Sequence, residues 1–417
     1  MSKPYGLLVL TSQLPYPPQQ GATIRSYNLL RELAGRADMD LLSFIGRPGE
    51  IEAAGPLRPL CRRIEGDLTP QRSTVQRALS AFFSPQPDMA LRFASPAFAG
   101  RLARALDACD YDAILFVGID MGPYLQQAAR WRAALPAGRR RPRFIFDDLN
   151  AEYVLQQRAF ETDLCGLRQP RRWAGALYSF IQWRKLRRFE AQLCRLADDV
   201  VAVSETDAAA LQRIVPGLRA TVVPNGVDLE RYRPAGGARP RLTPEPALVF
   251  TGKMDFRPNV DAACWFADEA LPRIRAAEPG VTFVVVGRDP HPRVRALAGR
   301  PGILVTGAVE DDLPYFEDAT VYVVPLRVGG GTRLKVLAAM SMQKALVSTA
   351  LGCEGLGAQH ESELLIADEP ADFAAQTIAL LRDPARRREL GARARQFVET
   401  RYGWSALAPR LERLYAR

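Results

Sequence analysis

The chain passes from an apolar run through three glycines into a helical pattern at residues 324–342, which read VPLRVGGGTRLKVLAAMSM. The first residues have the short, β-branched character of a buried strand, and the residues after the glycines follow the period of a helix carrying Arg333 and Lys335. Glycines before a helix leave its first backbone N–H groups open to an anion. The stretch therefore predicts a strand, an anion-binding turn and a helix. The alternative is a turn that only links the two elements.

Short β-branched runs alternate with longer helical patterns along the chain, which is typical of parallel α/β units. The predicted strands are 6–11, 39–46, 112–118, 143–149, 199–204, 247–252, 281–287, 302–307, 321–326 and 345–349. A connector rich in proline, glycine and arginine lies at 231–246. We therefore expect an α/β protein with two doubly wound, Rossmann-like domains facing each other across a cleft. The expected ranges are 1–232, 233–402 and a final helix at 403–417 that packs back on the N-terminal domain.

The composition is that of a globular protein, with 47% hydrophobic and 24% charged residues in 417. The net charge of +10, carried almost wholly by arginine, predicts anionic partners such as phosphates or acidic lipid. Nucleic acid is disfavoured because the arginines are dispersed and no recognition motif lies among them. Six cysteines without C-x-x-C spacing indicate neither a disulfide framework nor a zinc site. The short N-terminal apolar run fits neither a signal peptide nor a membrane span, so we expect a cytoplasmic protein.

Ligands of open parallel sheets bind at the carboxyl ends of the strands, and glycines and cations follow several predicted strands here. Gly252 precedes Lys253 and Arg257, which can both turn toward a diphosphate or remain solvated. Two more predicted strands end at Gly287 and Gly307. Because these strand ends share one edge of the predicted sheet, the pattern favours an anion site there.

The first half has a similar strand-to-helix junction, LPYPPQQGATIRSYNLL at 14–30. Gly21 and Ala22 begin the predicted helix, and Arg25 follows about one turn later. The backbone N–H groups at this junction could hold a phosphate or sugar oxygen. A tight turn that needs glycine is the alternative.

A third segment, 168–196, has aromatic and aliphatic residues at helical spacing among a cluster of arginines. It is either a core helix with a solvated arginine face or a basic amphipathic helix in peripheral contact with an anionic membrane. Together with the hydrophobic ALSAFFSP at 78–85, it is consistent with a membrane-proximal acceptor and a location at the inner face of the membrane.

Five motifs in order resemble glycosyltransferase family 4 of the GT-B fold: VVPNGVDLERYRP, TGKMDFRPNVDA, VVVGRDP, VYVVPLRVGGGTRLKVL and LVSTALGCEGL. The resemblance implies a nucleotide-sugar donor in the C-terminal domain, an acceptor in the N-terminal domain and retention of the anomeric configuration. It also implies neither metal nor cofactor, because basic side chains and helix N-termini offset the charge of the leaving diphosphate.

By the same resemblance, Lys253 and Arg257 bind the diphosphate and Val309 lies near the nucleobase. The other donor-side positions that the resemblance implies are Gly252, Gly287, Gly329, Gly330, Gly331, Thr332, Arg333 and Ala338. The acceptor-side loop is Gly21, Ala22 and Arg25.

Several positions depart from the family pattern, among them Gln343, where the family usually has a glycine. The family commonly has two glutamates where this chain has Gly330 and Ala338, and a histidine where it has Leu149. The polar residues near Leu149 are Asp147, Asp148, Asn150 and Glu152, of which Asp148 and Asn150 are our catalytic candidates. Capping of the strand end is the alternative role for these four residues.

Two hypotheses follow from these observations. The first is a retaining glycosyltransferase that moves a sugar from a nucleoside diphosphate to a glycan or lipid-linked acceptor, in envelope or exopolysaccharide biosynthesis. The second is a non-catalytic GT-B protein that acts as partner or regulator of an active transferase. The absence of the family's glutamate and histidine would be compatible with this second hypothesis.

Overall fold

The computed structural model describes residues 5–165, 173–235, 239–329 and 333–415. The chain divides into two compact units, which we call the first and second unit. The first is formed by Met1–Asn225 with Leu407–Arg417, and the second by Gly226–Ala406. Our expected boundaries lay after residues 232 and 402, and the chain leaves the first unit after Asn225 and returns to it after Ala406.

The first unit is built on a parallel sheet of seven strands. These are β1 Tyr5–Thr11, β2 Ala37–Ile45, β3 Arg63–Leu68, β4 Ala113–Val117, β5 Arg143–Asp148, β6 Asp199–Ala202 and β7 Thr221–Val222. Their order is β3-β2-β1-β4-β5-β6-β7. The direction of winding reverses between β1 and β4, where Leu7 pairs with Met39 on one side and Ala113 on the other. This reversal is the topological switch point at which doubly wound sheets bind ligands.

Nine helices of the described chain surround this sheet. They are α1 Gly21–Leu33, α2 Glu50–Ala53, α3 Thr74–Phe83, α4 Asp88–Arg92, α5 Pro96–Ala108, α6 Gly122–Ala134, α7 Glu152–Cys165, α8 Trp173–Leu196 and α9 Glu205–Ile214. The core includes a stack of Phe44 on Phe98, with ring centroids 4.2 Å apart, and Tyr124 packs against both rings. Helices pack their apolar faces against the sheet and bury it on both sides. The strands are strongly apolar because both of their faces are buried.

The second unit repeats the plan with six parallel strands. These are β8 Ala247–Thr251, β9 Thr282–Val286, β10 Ile303–Gly307, β11 Val321–Val324, β12 Leu346–Ser348 and β13 Leu365–Ile366. Their order, β10-β9-β8-β11-β12-β13, places the switch point between β8 and β11. Both units therefore have the strand order of the doubly wound nucleotide-binding fold.

Helices on this sheet begin close to the strand ends. They are α10 Arg257–Trp265, α11 Leu271–Ala277, α12 Pro292–Arg295, α13 Leu313–Asp318, α14 Leu334–Ser341, α15 Pro370–Arg382 and α16 Pro384–Arg401. A π-helical segment, Phe266–Ala270, joins α10 to α11. The helix α14 is wholly buried from Val336 to Ser341, so it forms part of the core beneath the switch point.

All ten predicted strands are present, each within two residues of the expected ends, and all of them pair in parallel. Three strands were missed. The strand β3 reads RIEGDL and lies at a sheet edge, where polar residues replace the apolar run of a central strand. The strands β7 and β13 have two residues each, which is too short for a periodic pattern.

The last helix, α17 Trp404–Tyr415, packs largely within the first unit. Tyr415 stacks on Tyr5 at 6.4 Å between ring centroids, and Arg36 pairs with Glu412 at 2.8 Å. Because Tyr5 begins β1, the end of the chain covers the amino end of the central strand. No helix among the described residues combines the length and apolarity needed to cross a membrane.

Candidate functional site

The carboxyl ends of β8 and β9 are so crowded that both positions require glycine. Gly252 has φ +153° and Gly287 φ +151°. A Cβ atom at Gly287 would lie 1.7 Å from the Gly252 carbonyl oxygen. The two glycines predicted at these strand ends are therefore packed against one another at the switch point of the second unit.

Lys335 extends from the first turn of α14 to this same place. Its Nζ donates a hydrogen bond to Asn259 Oδ1 at 2.7 Å and lies 4.2 Å from the centroid of the Phe250 ring. A Cβ atom at Gly252 would lie 2.9 Å from that Nζ and 2.7 Å from Asn259 Nδ2. The absence of a side chain at Gly252 thus makes room for an amino group at the end of β8.

The environment of Lys335 lowers the pKa of its amino group to about 7, first because the group is removed from water and second because Arg333 is nearby. Arg333 is itself buried, at 6% exposure, and its guanidinium lies 3.8 Å from the Glu354 carboxylate. A bound anion would raise the pKa of Lys335 again, because it would favour the charged form of the amino group. We had expected Arg333 in the donor site. Lys335 and Asn259 were missed, although Lys335 belongs to the same glycine-rich stretch at 324–342.

The predicted basic pair lies in the loop from β8 to α10. Lys253 is exposed, and its Nζ lies 3.0 Å from Asp255 Oδ2. Arg257 is exposed and is the first residue of α10. Asn259 also donates to the Lys253 carbonyl oxygen at 2.9 Å, which fixes the turn. The structure brings both cations to the switch point, and diphosphate contact by either remains a prediction.

The loop after β11 lies against the start of α10. A Cβ atom at Gly329, which has φ +103°, would lie 2.8 Å from Pro258 Cγ. Three other residues of the predicted anion-binding turn, Gly330, Gly331 and Thr332, are outside the described residues. The expected strand and helix on either side of these residues are present, with α14 beginning at Leu334.

Ala338 and Val309 are the two remaining donor-side positions that the resemblance implies. Ala338 is buried, at 4% exposure, and lies about one turn into α14, which begins at Leu334. Val309 is half-buried and follows β10, a strand at the edge of the sheet. Contacts of these residues with ribose and nucleobase remain predictions.

In the first unit, the expected acceptor-side loop is the beginning of a helix. Gly21 and Ala22 are the first residues of α1, and Arg25 lies in its second turn. Arg25 is fully buried, and its guanidinium donates to both carboxylate oxygens of Asp147 at 2.8 Å. It also donates to the Val223 carbonyl oxygen at 2.9 Å. The placement of Arg25 in an acceptor-side loop is therefore corrected, because the residue is a buried ion-pair partner.

Asp148 points to the opposite side of the sheet, as successive residues of a strand do. It is 1% exposed, and neither of its carboxylate oxygens accepts a hydrogen bond from the residues that the structure describes. Burial, and then the charge of Glu190, raise the pKa of Asp148 well above its usual value. The structure thus places the catalytic candidate Asp148 below the surface, and a catalytic role for its carboxylate stays a prediction.

Glu190, on α8, is the buried partner of Asp148. Its carboxylate accepts from the backbone N–H of Glu152 at 2.8 Å and of Tyr153 at 3.2 Å, so it caps the N-terminus of α7. Burial raises the pKa of Glu190 to about 8. Since Glu190 receives two N–H groups and Asp148 receives none, the ionised form is better stabilised at Glu190 than at Asp148. Sequence reasoning missed Glu190, which precedes β6 by nine residues and carries no motif.

The polar residues that keep some exposure at this strand end are Asn150 and Glu152. The Asn150 amide donates to Glu152 Oε1 at 3.2 Å, and burial raises the pKa of Glu152 to about 7. Asp120, after β4, has a pKa raised by burial to about 6. Leu149, in place of the family's histidine, packs over Gly118, which has φ +79°. Among the described residues, no group of His, Cys, Asp and Glu side chains is arranged to hold a metal ion.

Two family profiles match this chain. Glycosyltransferase Family 4 matches residues 20–231, and Glycosyl transferases group 1 matches residues 245–383. The first covers half of the chain and most of the first unit, and the second covers most of the second unit. The chain therefore belongs to glycosyltransferase family 4.

Among curated relatives, the GDP-mannose-dependent alpha-(1-6)-phosphatidylinositol monomannoside mannosyltransferase of Mycobacterium tuberculosis is 27% identical over 256 residues. The match covers 55% of this chain and 66% of that one, so the chain spans less than two thirds of that relative.

Two solved structures share the fold over nearly the whole chain. Sucrose-phosphate synthase from Thermosynechococcus elongatus has a TM-score of 0.67 at 20% identity, with 98% of each chain covered. Anabaena HepE in complex with UDP has a TM-score of 0.65 at 13% identity, with 98% of this chain and 99% of that one covered. The fold is GT-B, with two Rossmann-like domains.

Proposed function

We propose that this chain is a retaining glycosyltransferase that transfers a sugar from a nucleoside-diphosphate sugar to a glycan or lipid-linked acceptor, without a metal or cofactor. A role in the assembly of envelope polysaccharide is part of the proposal. Membership of family 4 supports the reaction class. The cationic switch point of the second unit supports the type of donor.

The observation that carries the proposal is the position of Lys335. A half-buried amino group at the carboxyl end of β8, next to a glycine-only backbone, suits an anion that approaches the backbone closely. Lys253 and Arg257 supply two exposed cations in the adjoining loop. Three positive groups could offset the charge that develops on a leaving diphosphate, which is the role of a metal ion in other transferases.

The relatives support the partners of the proposed reaction. The mycobacterial relative is by name GDP-mannose-dependent and acts on a phosphatidylinositol monomannoside, and the Anabaena structure contains UDP. A nucleoside diphosphate is the chemistry that these ligands share. For the acceptor, Asn150 and Glu152 are the proposed binding groups, because they are the partly exposed polar side chains after β5.

Ala338 and Leu149 favour the second candidate, a non-catalytic protein of the same fold. An alanine cannot accept hydrogen bonds from the ribose, and a leucine offers no polar group to the acceptor. Such a protein would still bind the donor through its cations. Donor binding without hydrolysis or transfer would therefore distinguish the partner or regulator from the enzyme.

The experiment that tests the proposal is a thermal-shift screen against UDP, GDP, ADP and dTDP and their sugars. A ligand present at a hundred times its Kd stabilises the folded state by roughly 2.7 kcal/mol. We expect one nucleoside diphosphate to raise Tm, and its nucleoside to have little effect. If no nucleotide stabilises the protein, the assignment of a donor site is overturned. The nucleotide found is then used, as its sugar, in an assay for hydrolysis and transfer.

A further inference from the structure

Six large apolar side chains are exposed on two helices of the first unit. Val75, Leu79 and Phe83 recur every four residues along α3, and Trp173, Leu177 and Phe180 lie at helical spacing on α8. Each exposes between 39% and 83% of its surface. We call these six residues the apolar patch. Large exposed apolar side chains grouped in this way mark a contact surface rather than ordinary surface scatter.

The two helices contact each other. Lys185 Nζ of α8 donates to the Ser80 carbonyl oxygen of α3 at 3.3 Å. The opposite face of α8 belongs to the core, where Leu186, Phe189 and Leu193 are buried. The outer faces of α3 and α8 are therefore adjacent, and α8 is held rigidly from behind.

The exposed face of α8 becomes basic beyond the patch. Arg184, Arg187 and Arg188 are exposed and continue the series that begins at Trp173, Leu177 and Phe180. The sole acidic residue in the sequence of α8 is Glu190, which is fully buried, and the sequence of α3 contains no acidic residue. The surface thus combines apolar side chains with exposed arginines on a helix that has no exposed acidic residue.

We propose that the apolar patch and these three arginines dock the protein on an anionic lipid surface. The aromatic and aliphatic side chains would enter the boundary between headgroups and acyl chains, while the guanidinium groups bind the lipid phosphates. Charge complementarity selects this partner over a second copy of the chain, because two such surfaces would bring six arginines together. This inference rests on the proposed function and extends it. It names the surface through which the protein would reach a lipid-linked acceptor.

The experiment is sedimentation of the full chain with vesicles, in the absence of any donor. One set contains equal parts of phosphatidylcholine and phosphatidylglycerol, and the other contains phosphatidylcholine alone. We expect binding to the first set, weakened by salt, and little binding to the second. Trp173 is a built-in reporter, because it is 64% exposed and its fluorescence should shift to the blue on insertion.

Two variants with matched controls test the surface. Replacement of Arg184, Arg187 and Arg188 together by glutamine should weaken binding to the anionic vesicles on the order of tenfold or more. The control replaces three exposed arginines elsewhere in the unit, Arg58, Arg104 and Arg130. Leu177→Ser should weaken binding severalfold, whereas Leu242→Ser in the second unit should not, although the two leucines are 52% and 54% exposed. Circular dichroism confirms that each variant is folded.

The proposal is overturned if the wild type binds neither set of vesicles, or if each variant binds as its control does. It is also overturned if Leu177→Ser abolishes a dimer of the wild type while neither protein binds vesicles, since a second copy would then be the occupant. Stabilisation by a nucleoside diphosphate without vesicle binding would refute this surface alone. Vesicle binding without any nucleotide response would instead refute the proposed function.

Discussion

Asp147 and Asp148 are adjacent residues in opposite electrostatic surroundings. Asp147 pairs with buried Arg25, whereas Asp148 is buried beside another carboxylate. Removing one charge of a buried ion pair leaves the other uncompensated, so Asp147→Asn should destabilise the protein by about 3–5 kcal/mol. Urea unfolding of the variant and the wild type measures this change. A loss below about 1 kcal/mol would mean that Arg25 finds another partner.

Asp148→Asn makes the same change at the neighbouring position, but we expect it to stabilise the protein at pH 8 rather than destabilise it. The folded pKa of Glu190 is raised from 4.5 to about 8, and that of Asp148 is raised too. Between pH 4.5 and about 8, the folded state therefore binds more protons than the unfolded state. The free energy of unfolding should fall as pH rises through this range. An asparagine next to Glu190 removes the repulsion, so Tm at pH 8 should rise and the pH dependence should flatten. A lower Tm at pH 8 would contradict this account.

Lys335 gives the donor site an expected pH dependence. With a pKa near 7 in the free protein, its amino group is charged below pH 7 and increasingly neutral above it. Binding of a nucleoside diphosphate should therefore weaken by up to about fivefold from pH 7 to 8, as the charged fraction of the amino group falls. Lys335→Arg should remove this dependence, and Lys335→Met should weaken binding at every pH. Calorimetry of each protein provides the affinities, with the nucleoside as a control for the phosphate's contribution. Equal behaviour of wild type and Lys335→Arg would exclude Lys335 from the site.

The exposed arginine at the start of α10 is tested in the same assay. Arg257→Ala should weaken nucleoside-diphosphate binding by roughly 1.5–3 kcal/mol, the contribution of a charged hydrogen bond, and should leave nucleoside binding nearly unchanged. Arg273→Ala, at an exposed arginine of α11, is the control. Equal losses for both ligands would argue against a diphosphate contact at Arg257.

At the scale of elements, the central strands could be predicted because strands buried on both faces form continuous β-branched runs. The edge strands could not, because exposure or shortness removes that pattern. The glycines of the proposed donor site could also be predicted, since Gly252 and Gly287 follow strands that the sequence locates. The pairs Lys335 with Asn259 and Arg25 with Asp147 could not, because their members are 76 and 122 residues apart and only the folded sheet brings them together.

Ala338, on α14, stands where the family commonly has a glutamate, and its surroundings in the helix decide whether a glutamate there is tolerated. Ala338 is buried, so a carboxylate there is costly unless the ribose hydroxyls of the donor hydrogen-bond to it. We expect Ala338→Glu to tighten donor binding by on the order of 1–3 kcal/mol and to raise any transfer activity. Ala339→Glu, one residue on and fully buried, is the control that carries the same cost without this benefit. Unchanged affinity in folded Ala338→Glu would mean that the ribose is held differently.

At the scale of the whole molecule, the second unit is one continuous stretch and the first unit is made of two. The returning helix α17 buries Leu407, Leu411, Leu414 and Tyr415 in the described structure. Full burial of side chains of this size contributes roughly 1.5–3 kcal/mol each, and a domain is commonly stable by only about 5–15 kcal/mol.

We therefore expect a fragment of residues 226–406 to unfold cooperatively when produced alone. A fragment of residues 1–225 should be unfolded or aggregated, and a synthetic peptide of residues 404–417 should restore part of its structure. Near-UV circular dichroism of each fragment measures these outcomes. A stably folded 1–225 fragment without the peptide would contradict the importance of α17.

The return of α17 to the first unit also bears on biosynthesis. On the ribosome, β1 to β7 emerge early, yet the helix that covers Tyr5 is translated about 180 residues after the last of these strands. Translation at about 5–20 residues per second leaves the nascent first unit incomplete for roughly 10–40 s, while its apolar surface for α17 remains uncovered. A chaperone that binds nascent apolar segments should therefore associate with this chain until α17 has been synthesised.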